Sequence, residues 1–285
     1  MSVPSELANW IPSRLWRHQG QPAVTWVELG TERFDRPFFH ETLDAALARP
    51  GAPAPRHTGL DALIEEARRA QAAEESLAPP SGLIFHMSRC GSTLVSSTLA
   101  QEPSALVLGE PNPLGDYFEI AQALPPQRRG ALLRALLILL GRRRSGETQF
   151  TIKAMSQLAV FLPFLLQTLP QARWIFVYRD PLEVLVSLIE GESFVAGLHA
   201  RPKLAAHWAG IPAAEVAALP PEVFAARMLG RICATAAGAG DRGGGGARAR
   251  SDAGAGLSLA GGGADRARRP LPRHRDERGG AAGGA

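Results

Sequence analysis

Cysteine is scarce: Cys90 and Cys233 are the two in 285 residues. Two thiols make neither a disulfide framework nor a zinc cluster, so no metal site is expected and a reducing, cytoplasmic setting is. Long apolar runs are lacking too. No uncharged apolar stretch reaches the roughly 18 residues of a membrane-spanning helix, so no integral membrane segment is expected. The N-terminal residues, MSVPSELANWIPSRLWRHQG, lack a basic start followed by an apolar run and do not read as a signal peptide. Most of the chain also lacks net charge. Residues 1–231 hold 22 Lys and Arg against 22 Asp and Glu, and the excess of +4 comes from residues 232–285, with nine Arg and five acidic residues. The basic balance therefore makes no case for a nucleic-acid partner of the folded body.

What is present is a core-forming body. Residues 23–40 mix aromatic, apolar and turn residues and read as a strand or two, or as a cover. Residues 41–50 begin a helix that GAPAP at 51–55 breaks, and residues 59–77 read as a helix with Leu60, Leu63, Ile64 and Ala67 on one face. After Pro79 and Pro80 the pattern changes. Strands are predicted at 82–87, 105–108, 148–153 and 173–178. Helices are predicted at 92–100, 130–140 and 156–168, the last kinked or started late by Pro163, and another opened by Asp180 and Pro181 runs to Glu190. Short apolar strands alternating with helices predict an α/β fold with a mainly parallel central sheet. Past Cys233 no period survives, and residues 236–285 hold 15 of the 30 glycines. Two readings stand for that stretch: disorder, for want of apolar surface, or a shifted reading frame in GC-rich DNA, which encodes Gly, Ala, Arg and Pro. The expected division is an N-terminal extension or cover over 1–80, a phosphate-binding domain over 81–232, and a Gly/Ala/Arg-rich tail over 233–285.

The stretch IFHMSRCGSTLVSSTL, residues 84–99, carries the chemistry. A strand ends and a helix begins across His86–Thr93. The first N–H groups of that helix have no internal partner and face the loop. Gly91 permits close backbone approach or positive φ, Ser92 and Thr93 add hydroxyls, and Arg89 adds a positive fork. Such a corner can cradle a phosphate or sulfate; the plainer reading is a capped helix with a surface arginine. The nucleotide-hydrolysing loop G-x-x-x-x-G-K-[ST] is not present. His86 stands where its first glycine belongs and Ser92 where its lysine does.

Ser88-Arg89-Cys90-Gly91-Ser92-Thr93 resembles the 5′-phosphosulfate loop of the P-loop sulfotransferase family, P-[KR]-[ST]-G-[ST]-T, in the arginine form of bacterial members. Ser88 departs from the usual proline and Cys90 from the usual serine or threonine. A second family segment, a strand followed by R-[DN]-P and a serine eight residues after the arginine, matches WIFVYRDPLEVLVSLIE, with Arg179, Asp180, Pro181 and Ser187. The resemblance covers residues 81–190, more weakly to 232. It implies a three-layer P-loop NTPase-like fold and 3′-phosphoadenylyl sulfate as co-substrate. Arg89, Cys90, Gly91, Ser92 and Thr93 would hold its 5′-phosphosulfate, and Arg179 and Ser187 its 3′-phosphate. The implied reaction is sulfuryl transfer to a hydroxyl or amine of a small-molecule, carbohydrate or lipid acceptor, with no metal required. The family's late basic, glycine-rich loop is not found, nor are the later strand and helices of a complete domain.

Sulfuryl transfer needs charge neutralisation, alignment of the acceptor and a base. Glu110, in VLGEPNPLGD after the second strand, fits the glutamate type of base found in the family; it equally fits a loop cap. Asp116 and His86 are weaker candidates. Lys153 ends the third strand on the same edge, where it could touch the phosphosulfate or acceptor or merely be solvated. Arg142-Arg143-Arg144 reads most simply as a solvated loop. Two other functions stay open: an inactive phosphonucleotide-binding or scaffold protein of the same fold, and a nucleotide kinase with a degenerate P-loop.

Overall fold

The computed structural model describes residues 6–191, 194–240, 246–252 and 256–260. The chain opens with a hairpin, β1 (Trp10–His18) and β2 (Gln21–Glu28), joined by Gln19 and Gly20. Both turn residues have positive φ, 48° and 80°, the conformation a two-residue hairpin loop demands. Pro12 is tolerated because the register shifts between Pro12 and Arg14, and such a bulge releases the missing N–H from the ladder. Helix α1 (Phe39–Ala48) follows, then β3 (Arg56–Gly59), which completes a three-stranded antiparallel sheet in the order β1-β2-β3. Helix α2 (Leu60–Ala72) ends this region.

The second sheet carries the site. Strand β4 (Gly82–His86) leads into α3 (Ser92–Ala100), then β5 (Ala105–Gly109), α4 (Asn112–Ile120), α5 (Pro126–Leu140) and β6 (Gln149–Lys153). A 3-10 turn over Ser156–Phe161 precedes α6 (Leu162–Thr168), so Pro163 sits in a first turn and the helix does start late. Strand β7 (Arg173–Tyr178) and α7 (Pro181–Glu190) follow, then α8 (Phe194–His199), α9 (Pro202–Ala209), α10 (Ala213–Ala218) and α11 (Pro221–Gly240). Strands β8 (Gly246–Asp252) and β9 (Gly256–Ala260) close the described chain. Across the sheet the order is β5-β6-β4-β7-β8-β9, with β9 alone antiparallel to its neighbour.

This is an α/β architecture with a parallel sheet flanked by helices, compatible with three layers. From β4 the chain steps one way to β5, and from β6 it steps the other way, past β4, to β7. Parallel crossovers are right-handed as a rule, so steps in opposite directions place their helices on opposite faces of such a sheet. The direction of winding reverses between β4 and β7, and the crevice above their carboxyl ends is where ligands bind in such sheets.

Two sequence expectations change, and one, the N-terminal cover, gains detail. First, Arg142 is not solvated. It is 3% exposed, and donates to the carbonyls of Leu7 (3.0 Å) and Ala8 (2.7 Å), to Glu66, and lies 3.3 Å from Glu75. Burying a guanidinium requires this many acceptors. Second, residue 80 marks a change of sheet but no gap in packing. Trp10, Val24, Trp26 and Leu63 belong to one apolar core with Leu83, Phe85 and Leu136, and α2 packs on α5. Third, the expected tail from 233 is helical through Gly240, and residues 246–252 and 256–260 extend the sheet. Residues 261–285 lie outside the described residues. No helix among the described residues is long and apolar enough to cross a membrane.

Candidate active site

The loop between β4 and α3 is shaped by backbone of unusual handedness. Ser88 has φ 73°, Arg89 48° and Gly91 77°, while Cys90 between them is not left-handed. Only glycine adopts such angles without strain, so two consecutive left-handed L-residues must be held there by their surroundings. Three contacts do so. Met87 N donates to Val177 O (3.3 Å), the Cys90 thiol donates to the same oxygen (3.2 Å), and Ser88 N donates to His86 Nδ1 (3.1 Å). Cys90 is 1% exposed. Its side chain ties the loop down to β7, so it offers a ligand its backbone N–H alone. Alternating handedness gathers peptide N–H groups around one anion, and α3 begins at Ser92 with its unpaired N–H groups facing the same corner.

Lys153, Glu110 and Thr93 converge beside that loop. The Lys153 ammonium is buried, 2.6 Å from Glu110 Oε1 and 3.1 Å from Thr93 Oγ1. Glu110 is itself left-handed, φ 55°, and its N–H donates to Lys153 O at 2.7 Å. That kink ends β5 and turns the carboxylate back over the sheet edge. Gly109 before it is obligatory, since a Cβ there would stand 2.1 Å from the Pro37 carbonyl oxygen. The close approach of Pro37 brings Phe38, whose ring centroid lies 4.8 Å from Lys153 Nζ, within cation–π reach. The N-terminal region thus supplies one wall of the site. Phe38 was not legible in the sequence, because its place follows from the meeting of two sheets.

Charge in this cluster is strongly ordered. Burial pushes the Glu110 carboxyl up, but the His86 ring and the Lys153 ammonium outweigh it and hold the group at about 2. For His86, burial opposes a charge, while the Cys90 thiol and the Glu110 carboxylate favour it and raise the pKa. His86 Nδ1 is occupied by the Ser88 N–H, so a ring with one proton carries it on Nε2, 3.4 Å from Glu110 Oε1.

Arg89 is exposed and gives its Nε to Ser187 Oγ at 2.9 Å. Arg179 Nε lies 2.5 Å from Glu183 Oε2, so Ser187 is paired with the loop arginine and not with Arg179. Asp180 caps α7, its Oδ1 accepting Leu182 N at 2.8 Å, with Pro181 in the first turn. A cleft of about 420 Å³ opens at this strand end, lined by Met87, Tyr178, Arg179, Asp180 and Cys233 among others. Asp116 belongs elsewhere. It accepts from Arg14 Nε and from Leu15 N, both at 2.8 Å, and fastens α4 to β1.

The assembled groups are a strand-to-helix loop of alternating handedness, two arginines, a buried lysine and an ionised carboxylate, all on the carboxyl edge of the sheet. Such a set can bind a phosphorylated or sulfated anion and present a carboxylate beside it. Among the described residues no group of three or more His, Cys, Asp or Glu side chains is placed to hold a metal ion. Comparison with known proteins finds no matching family model, no similar curated protein and no similar solved structure.

Proposed function

We propose that the protein transfers a sulfuryl group from 3′-phosphoadenylyl sulfate to a hydroxyl or amine acceptor, a small molecule, carbohydrate or lipid, in the cytoplasm. The observation that carries this reading is the 2.9 Å contact between Arg89 and Ser187. The two sequence segments that resemble the donor-binding elements of sulfotransferases meet there, 98 residues apart in the chain. The left-handed loop and the helix start behind it fit the tetrahedral anion of the donor's 5′ end. The donor supplies the activated sulfuryl group. Arg89, Ser92, Thr93 and the loop N–H groups would hold the 5′-phosphosulfate, and Arg179 at the cleft, with Ser187, the 3′-phosphate.

Lys153 and Glu110 divide the remaining work. A carboxyl held at about 2 is ionised at neutral pH, but it is a weak base while the ammonium and the histidine face it. An anion on the loop beside Thr93 competes for the Lys153 ammonium. Movement of that charge off Glu110 raises the basicity of the carboxylate when an acceptor hydroxyl needs it. Lys153 then neutralises the transferring group, Glu110 takes the acceptor's proton, and adenosine 3′,5′-bisphosphate leaves as the S–O bond to its 5′-phosphate breaks.

The test is transfer of sulfur label from the donor to a panel of hydroxyl and amine compounds. Labelled product with wild-type protein is expected, and Glu110→Gln should lower turnover by roughly 10²–10⁴-fold. Glu110→Gln, which frees the Lys153 ammonium for the donor, should leave donor binding as tight as in wild type or tighter. A second reading, a binding protein without turnover, draws on the same low basicity of Glu110, and donor binding with no acceptor in any screen would favour it. Magnesium-dependent ATP turnover would instead favour a degenerate P-loop kinase.

A further inference from the structure

Helices α4, α5, α6 and α9 line a second cavity, of about 520 Å³, a size that suits a small-molecule ligand. It shares no lining residue with the cleft at the carboxyl edge. One wall is aromatic. Phe118 and Phe161 stack at 4.2 Å between centroids with their planes 11° apart, and Phe164 meets Phe118 edge-on at 6.0 Å. Phe164 is 42% exposed, the one aromatic among the exposed large apolar side chains of the described residues. An aromatic ring at a cavity rim leaves a face for another ring to cover.

The opposite character comes from the start of α5. Arg129 is exposed and is the one acidic or basic side chain, histidine aside, among the described residues that line the cavity. Its Nε donates to Leu124 O (2.8 Å) and its Nη2 to Gln122 O (3.2 Å). Those bonds hold the guanidinium in place without neutralising it. Its neighbour Arg128 has Asp61 as a partner, whereas no carboxylate among the described residues pairs with Arg129. Both arginines stand at the start of α5, whose first turn carries no acidic residue. Cations there oppose the helix dipole, and an anion relieves the conflict. Tyr117 lines the same cavity. Its side chain is 3% exposed, and its hydroxyl bonds to none of the described residues. Burial pushes the phenol pKa up while the nearby Arg129 guanidinium opposes this, so at neutral pH the group is a hydroxyl able to donate. A buried hydroxyl without a partner and a cation without an anion are both satisfied by one carboxylate.

We propose that this cavity binds an aromatic carboxylate, with its rings against Phe118, Phe161 and Phe164 and its carboxylate at Arg129 and the Tyr117 hydroxyl. The planar guanidinium fork matches the planar carboxylate. An uncharged aromatic leaves Arg129 without its anion, and a small anion leaves the phenylalanine rings uncovered, so the two halves of the ligand are specified separately. The inference is independent of the sulfuryl-transfer reading and concerns a different surface.

The probes are 2-naphthoate, the uncharged 2-naphthalenemethanol of similar shape, and acetate, each titrated against the full chain by ligand-observed NMR. Saturable binding of 2-naphthoate is expected. It should be tighter than that of the alcohol by about tenfold, the low end for a charge-assisted hydrogen bond because Arg129 is exposed. Arg129→Met keeps the length of the side chain and should erase that preference while the alcohol still binds. Tyr117→Phe removes a single oxygen and should weaken 2-naphthoate by about two- to tenfold. Phe164→Ala, at an exposed position, should weaken both aromatic probes with little change in the unfolding midpoint. The proposal is overturned by an absence of saturable 2-naphthoate binding in wild-type protein, or by acetate binding as tightly as 2-naphthoate. It is equally overturned by unaltered 2-naphthoate affinity in Tyr117→Phe, or by a preference for the carboxylate that survives Arg129→Met. Displacement of 2-naphthoate by adenosine 3′,5′-bisphosphate would also contradict it, by moving the site to the carboxyl edge.

Discussion

Two arginines at this site have different surroundings and should fail differently. Arg89 leaves the loop and reaches Ser187, whereas Arg179 leaves the end of β7 and lies against Glu183 and the cleft. Arg89→Ala should weaken both adenosine 3′,5′-bisphosphate and adenosine 5′-phosphosulfate. Arg179→Ala should weaken only the first, which alone carries a 3′-phosphate, by about ten- to a hundredfold for one charge-assisted hydrogen bond. Equal losses for both ligands in both variants would refute the division. Glu110 and Lys153 make a second pair of expectations. Glu110→Gln leaves a buried ammonium without its carboxylate, which costs about 3–5 kcal/mol, and Lys153→Met in the same chain should recover part of that. The gap between wild type and Glu110→Gln should also depend on pH. The folded carboxyl, at about 2, lies below its ordinary 4.5, so its contribution is complete above about pH 4.5 and fades as pH falls towards 2. That contribution is on the order of 3 kcal/mol. Urea unfolding of the two proteins at stepped pH measures it, and a gap that stayed constant below pH 4.5 would contradict the pairing.

At the scale of elements, local signals decided what the sequence could show. Asp180-Pro181 announced α7, and the structure uses Asp180 as the cap and Pro181 as the first helical residue. Asp180→Ala should therefore cost about 0.5–2 kcal/mol of stability, read from the unfolding midpoint, while leaving the ion pair of Arg179 with Glu183 in place. Strands β4, β5 and β7 were legible as short, mostly apolar runs between turn residues, and β6 as an alternation with Phe150 and Ile152 buried. The β1–β2 hairpin was not legible in its first strand. Pro12 argues against a strand, and only the bulge after it makes the residue harmless. Helix α4 was hidden by the prolines and glycine of EPNPLGD, though Pro113 sits in its first turn, where a missing N–H costs nothing. Strand β8 has too little apolar character to be recognised alone, and it owes its state to pairing with β7. The candidate site was legible where a motif carries it, at Arg89–Thr93 and Arg179–Ser187. It was not legible at Phe38, nor in the pairing of Lys153 with Glu110, because tertiary packing creates both. Gly109→Ala is the test of that packing. The added Cβ meets backbone, the Pro37 carbonyl, so the variant should unfold at lower urea and lose the contact between Phe38 and Lys153. An unchanged midpoint would refute the close approach.

At the scale of the whole molecule, the N-terminal sheet and the parallel sheet form one structure because they share one apolar core, and charged groups tie them together at its edges. Arg142 reaches Leu7, Ala8 and Glu66 from the end of α5, and Asp116 on α4 holds Arg14 and the Leu15 N–H of β1. Arg142→Ala leaves Glu66 to Arg69 and removes the bonds to the Leu7 and Ala8 carbonyls, so it should cost about 1–3 kcal/mol, with both sheets lost in a single transition followed by near- and far-ultraviolet circular dichroism together. Two separated transitions would mean that the sheets fold independently. The same joint positions Pro37 and Phe38 over the carboxyl edge, so the integrity of the N-terminal region bears directly on the site. The account's central claim is that this edge binds a nucleotide carrying both a 3′-phosphate and a 5′ anion. Calorimetric titration of the full chain with adenosine 3′,5′-bisphosphate, and in parallel with ATP, tests it most directly. Saturable binding of the bisphosphate, tighter than ATP and lost in Arg89→Ala, is the predicted result; tighter binding of ATP, or no preference for the 3′-phosphate, would contradict it.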